Sequence, residues 1–320
     1  MAQRGSGGPI RALGAVLDGA DLRVALVESD GARLSGLGPL AQAALAPDDP
    51  EGALAGVLAG FDGVDIIGLH AEQGPLPFDT RLVATALSVP VVSDFAGADL
   101  RLGGAGGPLT PFFHHAWAGW RAAGGPVMFV DLGEVLRVSW ADPAMARPEQ
   151  AGACLAFDAG PGCASVVAGG ASDEPDEAVL ARLLGQAHFA RLPPRWIEPR
   201  EFAWLPAALA AMPPARAQAT QLACIALAFE DALTHLPRPP ERVVLTGPGR
   251  RVPLIRATIA GLVACPVAEI EAVGLDDNMV QAQAIAQLAV RVSRGLATTC
   301  PTTTGVAAAV GGGEIAWPET

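Results

Sequence analysis

Twice along this chain, a strand–turn–strand stretch opens a series of short apolar runs that alternate with helical segments. That repetition limits the fold more than any other feature. Residues 10–28 alternate apolar and polar positions around Asp18-Gly19, as two strands joined by a tight hairpin would. Residues 39–59 read as a helix interrupted near Pro47 and Pro50, and 64–69 (VDIIGL) as a buried strand. A helix over 81–87, a strand over 89–93 ahead of Asp94 and a Gly/Pro-rich loop over 103–111 follow. After the break at Gly124-Gly125-Pro126 the cycle starts again. Strands over 127–130 and 135–140 flank the turn Asp131-Leu132-Gly133-Glu134, and 155–157 is a strand leading into Asp158. Helices over 176–185, 216–236, 252–263 and 279–296 surround a last strand at 243–245, which runs into Gly247-Pro248-Gly249. Such alternation makes α/β layers, and the paired hairpins imply a duplicated unit. The division expected is an N-terminal α/β domain over 1–124 and a C-terminal one over 125–296, with 297–320 packing back on the first.

Charge narrows the function. The chain has 21 basic and 33 acidic residues and a net charge of −12. That disfavours nucleic acid and anionic membranes, which need a basic face to release counterions. Every basic residue is Arg, so a Gly-Lys-Ser/Thr phosphate loop and a lysine Schiff base are excluded. A nucleotide would be held by backbone N–H groups, Arg or a metal. Cys154, Cys163, Cys224, Cys265 and Cys300 are widely spaced without a Cys-x-x-Cys pair, which reads as reduced thiols. The apolar stretch 205–212 is too short for a bilayer and contains Pro206, and the first nine residues lack a secretory apolar core. A soluble, cytoplasmic protein is expected.

The motifs, taken in order, resemble the anhydro-N-acetylmuramic acid kinase family. They are VPVVSDF at 89–95, then Asp99 and GGAGGPLTPFFH at 103–114; FDAGPG at 157–162; and DEAVLARLL at 176–184. Pro193-Pro194-Arg195, Arg200-Glu201-Phe202 and the PTTTGV tail at 301–306, with Gly311-Gly312, complete the set. Each motif is weak alone; their shared order and spacing make the set specific. The resemblance implies a two-domain actin-like ATPase (ribonuclease H-like) fold, with ATP and Mg²⁺ in an interdomain cleft. It implies hydrolytic opening of 1,6-anhydro-N-acetylmuramic acid and phosphorylation of the freed O6, in peptidoglycan recycling. It also makes a homodimer plausible.

Residue by residue, the resemblance makes Asp158 the general base on the attacking water, with Gly160 and Gly162 turning backbone N–H groups toward the sugar. Asp18 and Gly19 end a hairpin that handles phosphate and metal, and Gly14 is kept. The hydroxyl positions of that hairpin are Ala15 and Val16. Gly133 belongs to the second phosphate hairpin, where Asp131 and Glu134 add negative charge. Gly247 and Gly249 belong to the adenine-side turn, where Pro248 removes a donor. Asp94, His114 and Gln281 are candidate sugar contacts, and Asp99 is a further retained carboxylate. Other sugar-side positions are replaced: Ala71 and Glu72 after His70, Ala96, Ala105, Cys163 and Val167.

Each of these residues also has a structural reading. Asp18-Gly19 is a good hairpin turn, Asp158 a turn carboxylate, and a His beside Phe112 and Phe113 an ordinary core residue. Three functions therefore stay open: the anhydro-sugar kinase, a weak or inactive relative that binds sugar, nucleotide or a partner, and a kinase for another small sugar.

Overall fold

A computed structural model describes residues 8–45, 49–121, 124–163, 174–198 and 200–319; Pro47, Val167 and the first seven residues lie outside this set. β1 (Ile10–Asp18) and β2 (Asp21–Ser29) form the antiparallel hairpin, closed by Gly19 and Ala20. β3 (Leu34–Ala44) pairs with β2, while β4 (Ile66–Ala71) and β5 (Val91–Ser93) continue the sheet in parallel from β1. The C-terminal strand, Glu314–Ala316, adds antiparallel to β5.

The second unit repeats this plan. β6 (Val127–Leu132) and β7 (Val135–Ala141) make the hairpin, followed by β8 (Cys154–Pro161), β9 (Arg242–Thr246) and β10 (Val267–Glu269). Their order, β8-β7-β6-β9-β10, matches β3-β2-β1-β4-β5, with an antiparallel hairpin and parallel strands beyond it in both. This repeated order is the ribonuclease H-like topology of the actin-like ATPase fold.

β1 is buried on both faces, as a central strand with parallel neighbours should be. Leu13, Ala15 and Leu17 point into one apolar cluster with Leu22, Val24 and Leu54. The opposite face meets the final long helix, Val280–Ser293, which is buried through most of its length. The contact is backbone to backbone. A β-carbon at Gly14 would lie 1.9 Å from the Ala282 carbonyl oxygen, and one at Gly68 would lie 2.9 Å from Ile285. Alanines at 282, 284, 286 and 289 thin the helix enough for this approach. Farther along, the buried guanidinium of Arg291 donates to the carbonyls of Gly31 and Ala297 and to Glu149, with its charge over the Phe112 ring. In the second unit, Met128, Val130, Trp140 and Phe157 pack with Ile225 and Phe229 of the long helix Pro214–Thr234.

Two expectations change. The final helix belongs with the first unit (Met1–Ala123, Pro143–Cys154, Asn278–Thr320), because its small residues fit the glycines of β1 and β4. The second unit is Gly124–Asp142 and Leu155–Asp277. Residues 39–44, read as helix, are the end of β3, and the helix spans only Pro50–Leu58. β3 hides its character because it is a Gly- and Ala-rich edge strand. Gly38 and Pro39 face the single residue Leu26 at a register shift, an edge position where Pro is tolerated.

The close approach at Gly14 sets a test. Gly14→Ala should lower the unfolding free energy by about 3 kcal/mol through overpacking against helix backbone. Denaturant titration of the two proteins measures it.

Candidate functional site

In open α/β sheets, ligands bind beyond the carboxyl ends of the parallel strands. The expected residues collect at those ends within each unit. In the first, β1 ends at Asp18, β4 leads into Glu72 and Gln73, and Asp94 follows β5. In the second, β6 leads into Gly133 and β9 into Gly247, in register through Asp131 and Thr246.

Asp158 lies in β8, every residue of which is buried. Its Oδ1 accepts from Arg137 Nε at 2.8 Å and its Oδ2 from the Ile197 N–H at 3.0 Å. Its peptide is fixed as well. The N–H donates to the Arg195 carbonyl at 2.9 Å, and the carbonyl meets His188 Nε2 at 2.9 Å. Burial and the neighbouring Arg195 push the His188 pKa down, which keeps that ring neutral and its Nε2–H available to the carbonyl. Arg195 is itself buried and paired with Asp231.

The turns around this strand interlock. The Gly162 N–H donates to the Glu134 carbonyl at 2.9 Å, and the Cys163 N–H to the Gly133 carbonyl at 2.7 Å. A β-carbon at Gly249 would lie 2.2 Å from Cys163 Sγ, and one at Gly247 would lie 2.2 Å from Asp131 Oδ1. Gly133, Gly162, Gly247 and Gly249 thus form one cluster. Gly160 does not join it; a β-carbon there would strike Ala228 of the long helix at 2.5 Å. Asp131 stands opposite Arg137 across the hairpin. Its carboxyl is pushed up by burial, opposed by Arg137 and reinforced by Asp277 and Asp158. A pocket of about 610 Å³ adjoins the cluster, lined by Glu134, Gly162, Ile197, Phe202, Leu205 and Cys224 among others.

In the first unit, Asp18 is half-exposed at the hairpin tip. Gln73 Nε2 approaches its Oδ1 at 3.4 Å and Arg23 its Oδ2 at 3.7 Å, while Arg23 pairs with Glu72 at 2.7 Å. Asp18 therefore keeps coordination capacity. Among the described residues no group of three or more His, Cys, Asp and Glu side chains could hold a metal. Mg²⁺ bound through one carboxylate, phosphate and water needs no such group, so Asp18 fits that role. Ala15 and Val16 are fully buried. Gly14 is explained by the final helix, and Gln281 lies half-buried in that helix's first turn. Asp94 adopts φ +52°, an uncommon conformation for a non-glycine residue, and caps Gly97 N–H at 3.0 Å. Asp99 is spent on structure: its oxygens accept from the Gly106 N–H at 2.7 Å and Thr304 Oγ1 at 2.6 Å, tying the Gly-rich loop to the tail.

His114 is buried in the helix Pro111–Trp120, beside the Phe113 ring, and burial lowers its pKa to about 3. A folded pKa below the unfolded value of 6.5 makes stability constant above pH 6.5 and drains it as pH falls toward 3. His114→Gln should remove roughly 2 kcal/mol of the loss that wild type shows between pH ~7.5 and ~5. Urea unfolding at the two pH values gives both slopes, and an unchanged slope would contradict the burial of a neutral ring.

Comparison with known proteins gives the family. The family model for anhydro-N-acetylmuramic acid kinase matches residues 77–168 and 168–318. The anhydro-N-acetylmuramic acid kinase of Roseobacter denitrificans is 39% identical over 98% of this chain and 96% of its own. That of Cereibacter sphaeroides is 41% identical over 84% and 79%. The first alignment extends over 363 positions, more than the 320 residues here, so that relative carries segments this chain lacks. Among solved structures, a ROK family glucokinase from Streptomyces griseus is 14% identical over 87% of this chain and 99% of its own, with a TM-score of 0.40. The chain belongs to the anhydro-N-acetylmuramic acid kinase family.

Proposed function

We infer that this chain is an ATP-dependent kinase that opens 1,6-anhydro-N-acetylmuramic acid with water and phosphorylates the freed O6. The observation that carries this reading is Asp158: a buried carboxylate, fixed at both oxygens and through both sides of its peptide, beside a pocket sized for a small ligand. Each carboxylate oxygen can accept two hydrogen bonds, so Asp158 retains an acceptor for a water. Asp158 takes the proton of that water as its oxygen bonds to C1, and the C1–O6 bond breaks. ATP, when bound, supplies the phosphoryl group that O6 accepts. Gly133, Gly247 and Gly249 line the nucleotide side, and Asp18 holds Mg²⁺ through one oxygen. Asp94, Gln281 and Gly162 are the candidate sugar contacts that remain exposed enough to act, and His114 is buried.

A second reading, a weak or inactive binder of the same ligands, draws on Arg137 and the buried Ala15 and Val16. Arg137 already occupies one Asp158 oxygen, and the first hairpin offers no hydroxyl where phosphate stabilisation is needed. A coupled assay of ADP release with the anhydro sugar separates the two. Wild type should turn over, and Asp158→Asn should lose about 10³-fold in kcat while calorimetry still detects sugar binding. Sugar binding without turnover in wild type would instead establish the second reading.

A further inference from the structure

The turn after β9 presents a donor set for an anion, and a side chain of the same chain already fills it. Gly247 leaves the strand at φ +71°, and its N–H donates to both oxygens of Asp277, at 3.1 and 3.2 Å. Arg250 is buried and donates NH1 to the same carboxylate and to the Gly247 carbonyl, both at 2.7 Å. Glu271 holds the Nε edge of this guanidinium at 3.1 Å. Other donors of the turn are unsuited to a ligand. Pro248 has no N–H, the Arg250 N–H goes to the Gly247 carbonyl, and Gly249 is packed against Cys163 and Leu132. With Arg251 exposed at the turn's end, the Gly247 N–H and the buried Arg250 guanidinium are thus the anion donors fixed within it, and Asp277 holds both. It does so although Asp131, a second carboxylate, presses against the same glycine. Asp277 lies in a turn before the final helix, so it can leave without breaking a strand or helix.

We propose that Asp277 is an internal competitor for the nucleotide. Its carboxylate occupies the place that a phosphate or ribose oxygen of ATP takes on the Gly247 N–H and Arg250, and ATP binds by displacing it. The inference rests on the reading that the Gly247 turn receives the nucleotide. Asp277 thereby sets nucleotide affinity without touching the reacting atoms.

Calorimetric titration of the full chain with ATP–Mg²⁺ tests this on wild type, Asp277→Asn, Asp277→Ser and Asp276→Asn. Both substitutions at 277 keep an oxygen for the Gly247 N–H, which favours an intact turn, and circular dichroism checks the fold of each protein. Removing the internal charge should tighten ATP–Mg²⁺ by about tenfold, the scale of one charge-assisted hydrogen bond. Asp276→Asn makes the same charge change on an exposed neighbour and should alter affinity by less than about twofold. Equal affinity in wild type and the 277 variants, or a gain matched at 276, overturns the inference while leaving the turn as the nucleotide site. Weaker binding by the 277 variants overturns it too, marking Asp277 as a support for the cation. If no folded form binds ATP–Mg²⁺, the nucleotide reading fails and the inference fails with it.

Discussion

The Asp158 carboxylate is committed before any ligand arrives: Arg137 takes one oxygen and the Ile197 N–H the other. The surrounding site is arranged about that fact. A buried carboxylate without partners would carry a heavy desolvation cost, so the strand can hold Asp158 only where a cation and a backbone donor reach it. Arg137 can reach it because the β6–β7 hairpin sets its register, and the same register puts Asp131 opposite Arg137. His188 and Arg195 brace the peptide from the other side. Catalysis that depends on positioning benefits from such rigidity, but under the proposed mechanism the cation that supplies it also competes for the oxygen that a water would approach.

The second unit repeats this theme at the Gly247 turn. Arg250 lies between Glu271 and Asp277, and the hydrogen bond it donates to Glu271 pushes its pKa up, so the guanidinium stays charged between two carboxylates. Arg137 pairs with Asp158, and Arg195 with Asp231. A chain without lysine has placed guanidinium groups where planar, multidentate donors can each satisfy several acceptors, a task a compact ammonium performs less well. The consequence is that each of these buried or half-buried guanidinium groups already has a carboxylate partner, which an anionic ligand must displace to reach it.

Much of the fold was legible from pattern alone. The two hairpins announce themselves through alternation and turn residues, and the Gly-Pro-Gly turn through the apolar strand before it. β3 was hidden because Gly36, Gly38, Pro39 and three alanines give no β signal; only pairing with β2 makes it a strand. The final helix was read correctly as a helix and assigned to the wrong unit, since nothing local says that Gly14 and Gly68 await its backbone. At the site, motif order pointed to Asp158, Asp18 and the glycines. Arg137 and Asp277 were missed for a physical reason: each matters through a partner distant in sequence. Arg137 was within reach of inference, because the turn at residues 131–134 fixes which residue faces Asp131. Asp277 was not, because its partner Gly247 lies thirty residues away in a different turn.

The two hairpins present different side chains on one backbone plan. At β1, Ala15 and Val16 are fully buried, so that stretch of the strand adds apolar core and offers no side-chain donor. At the β6–β7 turn, Asp131 and Glu134 stand at the carboxyl edge and add negative charge, with Asp131 close against Gly247. The backbone plan is the same in both, because hairpin closure and the parallel ladder to β4 or β9 depend on main-chain bonds. Phosphate recognition that relies on backbone N–H groups needs no side-chain hydroxyl. At a site of that kind, the side chains that compete for the N–H groups set how readily an anion enters.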